Sequence, residues 1–236
     1  MTNAEKYIEA FRKIESALRK EYGGGEYKEF MGMIRELREK NSIVRNFYDY
    51  LRDYAELRNA IVHKSSAGER PIAEPYPETV AEIEKLYGIL VKPQTAFDLA
   101  VKPVHNCETS TRIIDVVKIM KEKIYTQIPI LDGNGNFAGI FSESTLVKWL
   151  ADSVVSGGFI LEAAKVADIQ KYLDQGDDKF NTYKFAPREM NIFDVKDMFL
   201  DSINKKERLG AIFVTQNGSK TERILGIITA WDLSAA

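Results

Sequence analysis

One cysteine, two histidines, no long apolar run and almost no net charge set the first limits on this 236-residue chain. A single thiol, Cys107, excludes an internal disulfide and any multi-cysteine zinc site. Nothing in its neighbours, HNCETS, supports a nucleophilic thiol, and the residue reads as structural. No stretch approaches the roughly 20 apolar residues that cross a bilayer, and MTNAEKYIEAF has no basic region followed by a hydrophobic one. No membrane association and a cytoplasmic location are therefore expected. A net charge of −2 leaves no whole-chain basic field for nucleic acid. Apolar residues at 44% and charged residues at 29% exclude disorder and a fibrous fold. The length allows two units at roughly 100–200 residues each.

The chain divides in two by pattern. Residues 3–92 carry apolar residues three and four apart: Tyr7, Phe11, Ile14 and Leu18; Tyr27, Phe30, Ile34 and Leu37 after GGG at 23–25; Val44, Phe47, Leu51 and Tyr54; Val80, Ile83, Leu86 and Leu90 after PYPET. That spacing predicts four helices, the third over 43–64, burying their stripes in one small bundle. SSAGERPIAEPYP at 65–77 is its longest loop, and VKPQT at 91–95 marks the domain boundary.

Beyond residue 96 short β-type runs alternate with helices, and the order occurs twice. Helix TRIIDVVKIMKEK (111–123), strand QIPIL (127–131), turn DGNGN, strand FAGIF (137–141) and helix SESTLVKWLAD form the first copy. Helix NIFDVKDMFLDSIN (191–204), strand AIFVT (211–215), turn QNGSKTE, strand ILGIIT (224–229) and AWDLSAA form the second. Asp115 aligns with Asp194, Ile130 with Phe213 and Gly139 with Gly226, which implies an internal duplication. DGNGN has the Asp and Asn spacing of a calcium loop. The strand FAGIF intervenes before Glu143, the bidentate carboxylate such a loop would need, so a hairpin turn is expected instead.

The strand IPILDGNG (128–135) and the endings GIFSEST (139–145) and GIITAWDL (226–233) resemble the paired CBS domains. These are βαββα modules that stack in tandem and bind adenosine-containing ligands in clefts between their sheets. The family's ending is Gly, two apolar residues, Ser or Thr, two variable residues, then Asp. The second copy matches it with Thr229 and Asp232, whereas the first keeps Ser142 but has Thr145 in place of the acid. A strand ending in a hydroxyl residue and running into a helix aims free amides and that hydroxyl at one spot. An Asp three residues later can accept two hydrogen bonds there from vicinal ribose hydroxyls. Thr145 offers only a weaker neutral bond, so one working nucleotide site is expected. The resemblance further implies phosphate contacts from NKKERLG, with Lys206 and Arg208, and AMP, ADP or ATP as regulatory ligand. A plain helix N-cap followed by an early acid accounts for Thr229 and Asp232 as well. The second copy's LGAIFV lacks the family's strand proline, and His105 reads as a surface or turn residue.

Arg58 interrupts the apolar stripe Val44, Phe47, Leu51, Tyr54, Ile61 and Val62. A desolvated guanidinium there needs a bound phosphate or a carboxylate such as Glu15, Glu36 or Glu82. Asn59 and His63, four apart, share a face, while Arg58 lies about 140° from His63. RNAIVH on a four-helix bundle resembles the HEPN signature of Arg, four to six residues, then His. Over residues 1–92 that resemblance implies a metal-independent endoribonuclease working as a dimer. Arg58 would polarise the scissile phosphate, His63 would act as general acid or base toward the ribose 2′-hydroxyl, and Asn59 would orient His63. Inactive members serve as dimerisation or nucleotide-sensing modules, and His63 with Lys64 also closes a helix whose dipole favours positive charge.

The expected fold class is α+β: a four-helix bundle over 1–92, then a tandem CBS pair over 97–236, with its first copy at about 97–152 and its second at about 166–236. The leading expectation is a homodimeric regulator whose CBS pair binds an adenine nucleotide, without metal, and modulates the helical domain. A nucleotide-gated ribonuclease acting on RNA through Arg58, Asn59 and His63 stays open beside it, as does a structural dimerisation scaffold.

Overall fold

The computed structural model describes residues 1–23, 27–63, 71, 73–155, 163–174 and 182–234. The chain separates into two units, Met1–Gln94 and Thr95–Ala236.

The first unit begins with a reciprocal cap: Glu5 N–H donates to Thr2 Oγ1 at 3.2 Å and Thr2 N–H to the Glu5 carboxylate at 2.7 Å. The helix it opens, α1 (Asn3–Tyr22), buries Tyr7, Phe11, Ile14 and Leu18. These meet Met33 and Ile34 of α2 (Phe30–Leu37), Leu51 and Ile61 of α4 (Tyr48–His63), and Val80, Ile83 and Leu86 of α5 (Pro77–Val91) in one core. Tyr7 satisfies its buried hydroxyl by donating to Tyr54 O at 2.8 Å, and burial pushes its phenol well above the usual range.

The single helix expected over 43–64 is broken. A short α3 (Ser42–Asn46), capped by Asn41 Oδ1 on Val44 N–H, ends at Phe47, whose φ of −106° and ψ of 16° leave the helical region. Phe47 N–H still bonds to Ile43 O, and Leu51 N–H returns to Phe47 O, so α4 starts at once. Arg45 turns its guanidinium back onto the Arg38 carbonyl at 3.0 Å, outside any straight helix. The stripe also stops early, since Val62 is exposed.

The second unit contains the same order twice. The first copy runs β1 (Cys107–Glu108), α7 (Ile113–Lys123), β2 (Gln127–Leu131), β3 (Phe137–Ser142) and α8 (Glu143–Val155). The second runs β4 (Thr182–Pro187), α9 (Ile192–Asn204), β5 (Leu209–Thr215), β6 (Gly226–Ile228) and α10 (Ala230–Leu233). Each forms a three-stranded sheet, one parallel and one antiparallel pair, in chain order. Strand register corrects the alignment by one residue. Ile130 pairs with Gly139 and Val214 with Gly226, so Val214 is the equivalent of Ile130, and Phe213 stands where the first copy has Pro129.

Asp132 makes DGNGN a turn: its Oδ1 accepts from the N–H groups of Asn134 and Asn136, both at 2.8 Å. The hydrogen bond from the Asn136 side chain, then that from its backbone, holds the Asp132 carboxyl below its ordinary value.

Packing crosses the sequence division at 97–152 and 166–236. A short helix, α6 (Ala96–Leu99), packs into the second copy's core, and Val101 exchanges two backbone hydrogen bonds with Ile227 of β6. The 3₁₀ segment Val166–Tyr172 does the reverse, adding Val166, Ile169 and Leu173 to the first core, while Asp174 exchanges two with Ile140 of β3. Each copy is thus completed by the segment that leads into the other. A Cβ on Gly226 would stand 2.5 Å from Ala100 Cβ where α6 crosses β6. Gly226→Ala is accordingly expected to destabilise this unit by about 1–3 kcal/mol, read as a lower urea midpoint with unchanged slope. A midpoint equal to wild type would show that the crossing yields without cost.

Between the sheets Phe137, Tyr183, Phe185 and Phe213 form an aromatic cluster with centroids 5.1–6.0 Å apart.

Candidate functional site

Thr229 follows β6 directly and stands at the N-cap of α10, as the motif spacing predicts. Its N–H and its hydroxyl both donate to one oxygen of Asp232, Oδ2, at 2.7 and 2.8 Å. Asp232 Oδ1 accepts no hydrogen bond from any described residue, and Asp232 is half-buried. The carboxylate is therefore held by one oxygen and keeps both lone pairs of the other for a ligand.

Two cavities share lining residues here. One, of about 280 Å³, is lined by Asp232, Thr229, Val104, His105, Tyr125 and Pro129 among others. The second, of about 500 Å³, includes Ser142, Glu143, Arg208 and Gly210. Thr126, Gln127, Thr229 and Trp231 line both. Thr229 thus lines both cavities, Asp232 the smaller and Arg208 the larger. Lys206 sits in a left-handed turn at φ 58°, exposed, and lines neither cavity. Pro129 on β2 of the first copy lines the cavity that holds Asp232, whereas LGAIFV of the second copy has no proline.

The equivalent spot in the first copy is filled from within. Ser142 and Thr145 cap each other, and Ser142 Oγ donates to Asp174 Oδ2 at 2.6 Å. Lys148 Nζ lies 3.8 Å from the other oxygen of the same carboxylate. Ser142, Thr145 and Asp174 are 4%, 0% and 3% exposed. The acid missing from the first motif is thus replaced by one from a distant segment, buried on its hydroxyl partner.

In the first unit, Arg58 does not pair with any of the three carboxylates expected for it. Its Nη1 donates to Asn59 Oδ1 at 3.1 Å, and its buried Nε has no hydrogen-bond partner among the described residues. Glu15 holds Arg19 at 2.7 Å, and Glu36 is taken by Lys28 and by the Tyr22 hydroxyl. Arg58 and Asn59 share a cavity of about 460 Å³ with Phe11, Glu15, Arg19 and Tyr27. The His63 side chain lies outside the described residues, so its approach to Arg58 and Asn59 is not placed.

Trp231, Tyr125, Gln127 and Asp174 were not singled out by sequence. Trp231 alone carried a signal, a large aromatic placed between the two motif residues; it is 84% exposed.

Residues 96–152 match the CBS domain family. The match ends at residue 152, before the 166–174 segment that completes the first copy, and the repeated sheet topology has the same order in the second copy. Cystathionine beta-synthase of Saccharomyces cerevisiae (strain ATCC 204508 / S288c) is 23% identical over 184 residues, which cover 72% of this chain and 36% of the yeast protein. The chain therefore spans about a third of the length of that curated relative. Among solved structures, the CBS domain pair of protein MJ0100 in complex with 5′-methylthioadenosine and S-adenosyl-L-methionine is 17% identical, with a TM-score of 0.41 over 61% of this chain and 94% of that one. An acetoin utilization protein from Vibrio cholerae is 16% identical, with a TM-score of 0.45 over 61% of this chain and 89% of that one. No helix among the described residues is long and apolar enough to cross a membrane.

Proposed function

We propose that the Thr95–Ala236 unit is a regulatory sensor of an adenosine-containing ligand, an adenine nucleotide being the first class to test, with one working site per chain. The observation that carries this reading is Asp232, fixed by Thr229 through Oδ2, with Oδ1 accepting from no described residue, on the wall of the smaller cavity. Ribose hydroxyls donate to Oδ1, the base lies against Pro129, Val104 and Tyr125, and Arg208 faces the 5′ end. The CBS match supports the ligand class, and burial of Asp174 on Ser142 supports a single site. The signal passes to the helical unit, which is read as a homodimerising module. Calorimetry with AMP, ADP and ATP tests this. Heat at one site per chain, lost in Asp232→Asn, is expected; no heat, or identical heat in the variant, removes the reading.

One observation favours a second reading, a ribonuclease in the helical unit: the orphaned Nε of Arg58 beside Asn59 on a cavity wall asks for an anion. Arg58 would hold a phosphate of RNA and His63 would move the proton. Labelled RNA incubated with wild type and His63→Ala, with and without nucleotide, decides it. This reading expects cleavage by wild type only; equal cleavage, or none under any condition, leaves the regulatory module alone.

A further inference from the structure

The helical unit holds a cavity of its own, of about 460 Å³, within the range of clefts that take one small organic ligand. Glu15 and Arg19 of α1, Arg58 of α4, and Glu29 just before α2 are the charged side chains on its wall. They are not equivalent. Arg19 and Glu15 are committed to each other: Arg19 Nε and Nη2 donate to Glu15 Oε1 at 3.2 and 2.7 Å, while Nη1 donates to Lys28 O at 3.0 Å. Arg58 has no such counter-charge. Its guanidinium meets the neutral Asn59 side chain, and its buried Nε has no hydrogen-bond partner among the described residues. The Glu29 carboxylate is exposed, caps no helix amide and makes no hydrogen bond or ion pair with any described residue. One uncompensated cation and one carboxylate able only to accept therefore face the same space.

Tyr27 adds a flat surface on that wall. The Arg19 guanidinium, fixed in its plane by Glu15 and Lys28 O, lies 4.8 Å from the Tyr27 ring centroid, and Tyr27 is still 82% exposed. A ring braced by a cation on one side and open to solvent is a stacking platform for an unpaired base. Among the RNA bases guanine alone carries two adjacent N–H donors on one edge, N1 and N2, which a single carboxylate accepts together. Adenine and cytosine set an acceptor nitrogen beside their amino group, and uracil flanks its N–H with two carbonyls, so each turns a lone pair toward Glu29. Resting on the reading of Arg58 as a ligand for RNA phosphate, we propose that this cavity selects an unpaired guanine nucleotide of a single strand. Arg58 holds its phosphate, Tyr27 stacks on its base and Glu29 reads its edge.

Fluorescence anisotropy with labelled uridine pentamers carrying a central G, A, C or U tests this, on the full chain with His63→Ala so that cleavage does not intervene. The G pentamer is expected to bind about tenfold more tightly than the other three. Glu29→Gln should bring it down to their level and leave theirs unchanged. Tyr27→Ala should weaken all four about tenfold, whereas Tyr27→Phe, which keeps the ring, should bind as before. Arg58→Gln should weaken all four and make the slope of log affinity against log salt shallower by about 0.7, the loss of one phosphate contact on a single strand. Equal affinity for the four pentamers, no binding by any, or a guanine preference that survives Glu29→Gln overturns the guanine site. The cleavage assay on the unmodified chain is separate: a guanine preference in a chain that cuts no RNA keeps this site and removes the ribonuclease.

Discussion

Phe213→Ala is expected to lower the stability of the Thr95–Ala236 unit by about 3–5 kcal/mol, the range for removing a fully enclosed aromatic ring. Phe213 has no exposed surface, and its ring stands 5.5 Å from Phe137, 5.7 Å from Phe185 and 6.0 Å from Tyr183. Those neighbours are carried on hydrogen-bonded strands of both sheets, which limits how far they can close on the vacancy. Phe213→Leu keeps most of the volume and should lose less than half as much. Urea unfolding followed by tryptophan fluorescence gives both numbers. A loss near 1 kcal/mol for the alanine variant would mean that the sheets are not held together through this cluster. Because β2 and α10 line the same cavity, a loosened sheet-to-sheet contact should weaken ligand binding even where the variant is still folded.

The second large effect falls on Asp232. Replacing it by Asn keeps the shape and, with the amide oxygen toward Thr229, the turn into α10, but it turns an NH2 that cannot accept toward the ribose hydroxyls and removes the charge. Two charge-assisted bonds at roughly 1.5–3 kcal/mol each, lost together, give an expected loss of about 100-fold or more in affinity for an adenosine ligand. Asp232→Ala also removes the acceptor for Thr229 and mixes a folding cost of about 1 kcal/mol into the measurement, which makes Asn the cleaner test. The unfolding midpoint of Asp232→Asn without ligand should match wild type within about 0.5 kcal/mol, and only the ligand-induced rise in midpoint should disappear. Undiminished ligand stabilisation in this variant would place the site elsewhere.

Much of the second unit was legible because its signals are local. The endings GIFSEST and GIITAWDL announce a strand running into a helix, and strand, turn and cap lie within a few residues of one another. The register slip at Ile130 was not legible, since QIPIL and AIFVT are both continuous apolar runs and only the pairing with Gly139 and Gly226 fixes the offset. Asp174 was missed for a different reason: it lies 32 residues from Ser142, in a stretch with no repeat equivalent of its acid. Arg58 shows the limit in the first unit. Its helical position was readable, but its partner was not, because Glu15 and Glu36 are claimed by Arg19 and Lys28, contacts that depend on where other helices fall. The break at Phe47 has no Pro or Gly to mark it.

The crossing of the leading segments has a kinetic side. Val101 reaches its partner Ile227 only after nearly the whole unit has been synthesised, and Ile140 is likewise completed by Asp174 from the following segment. Neither sheet's edge is closed by its own contiguous stretch, so a ribosome that has released only the first copy has released a sheet with a neighbour still missing. Formation of the Asp232 site, which needs β2 from one copy and β6 from the other, coincides with the last closure rather than preceding it. A ligand bound there therefore lies against Val101 and Ile227, the pair whose late meeting closes the edge of the second sheet.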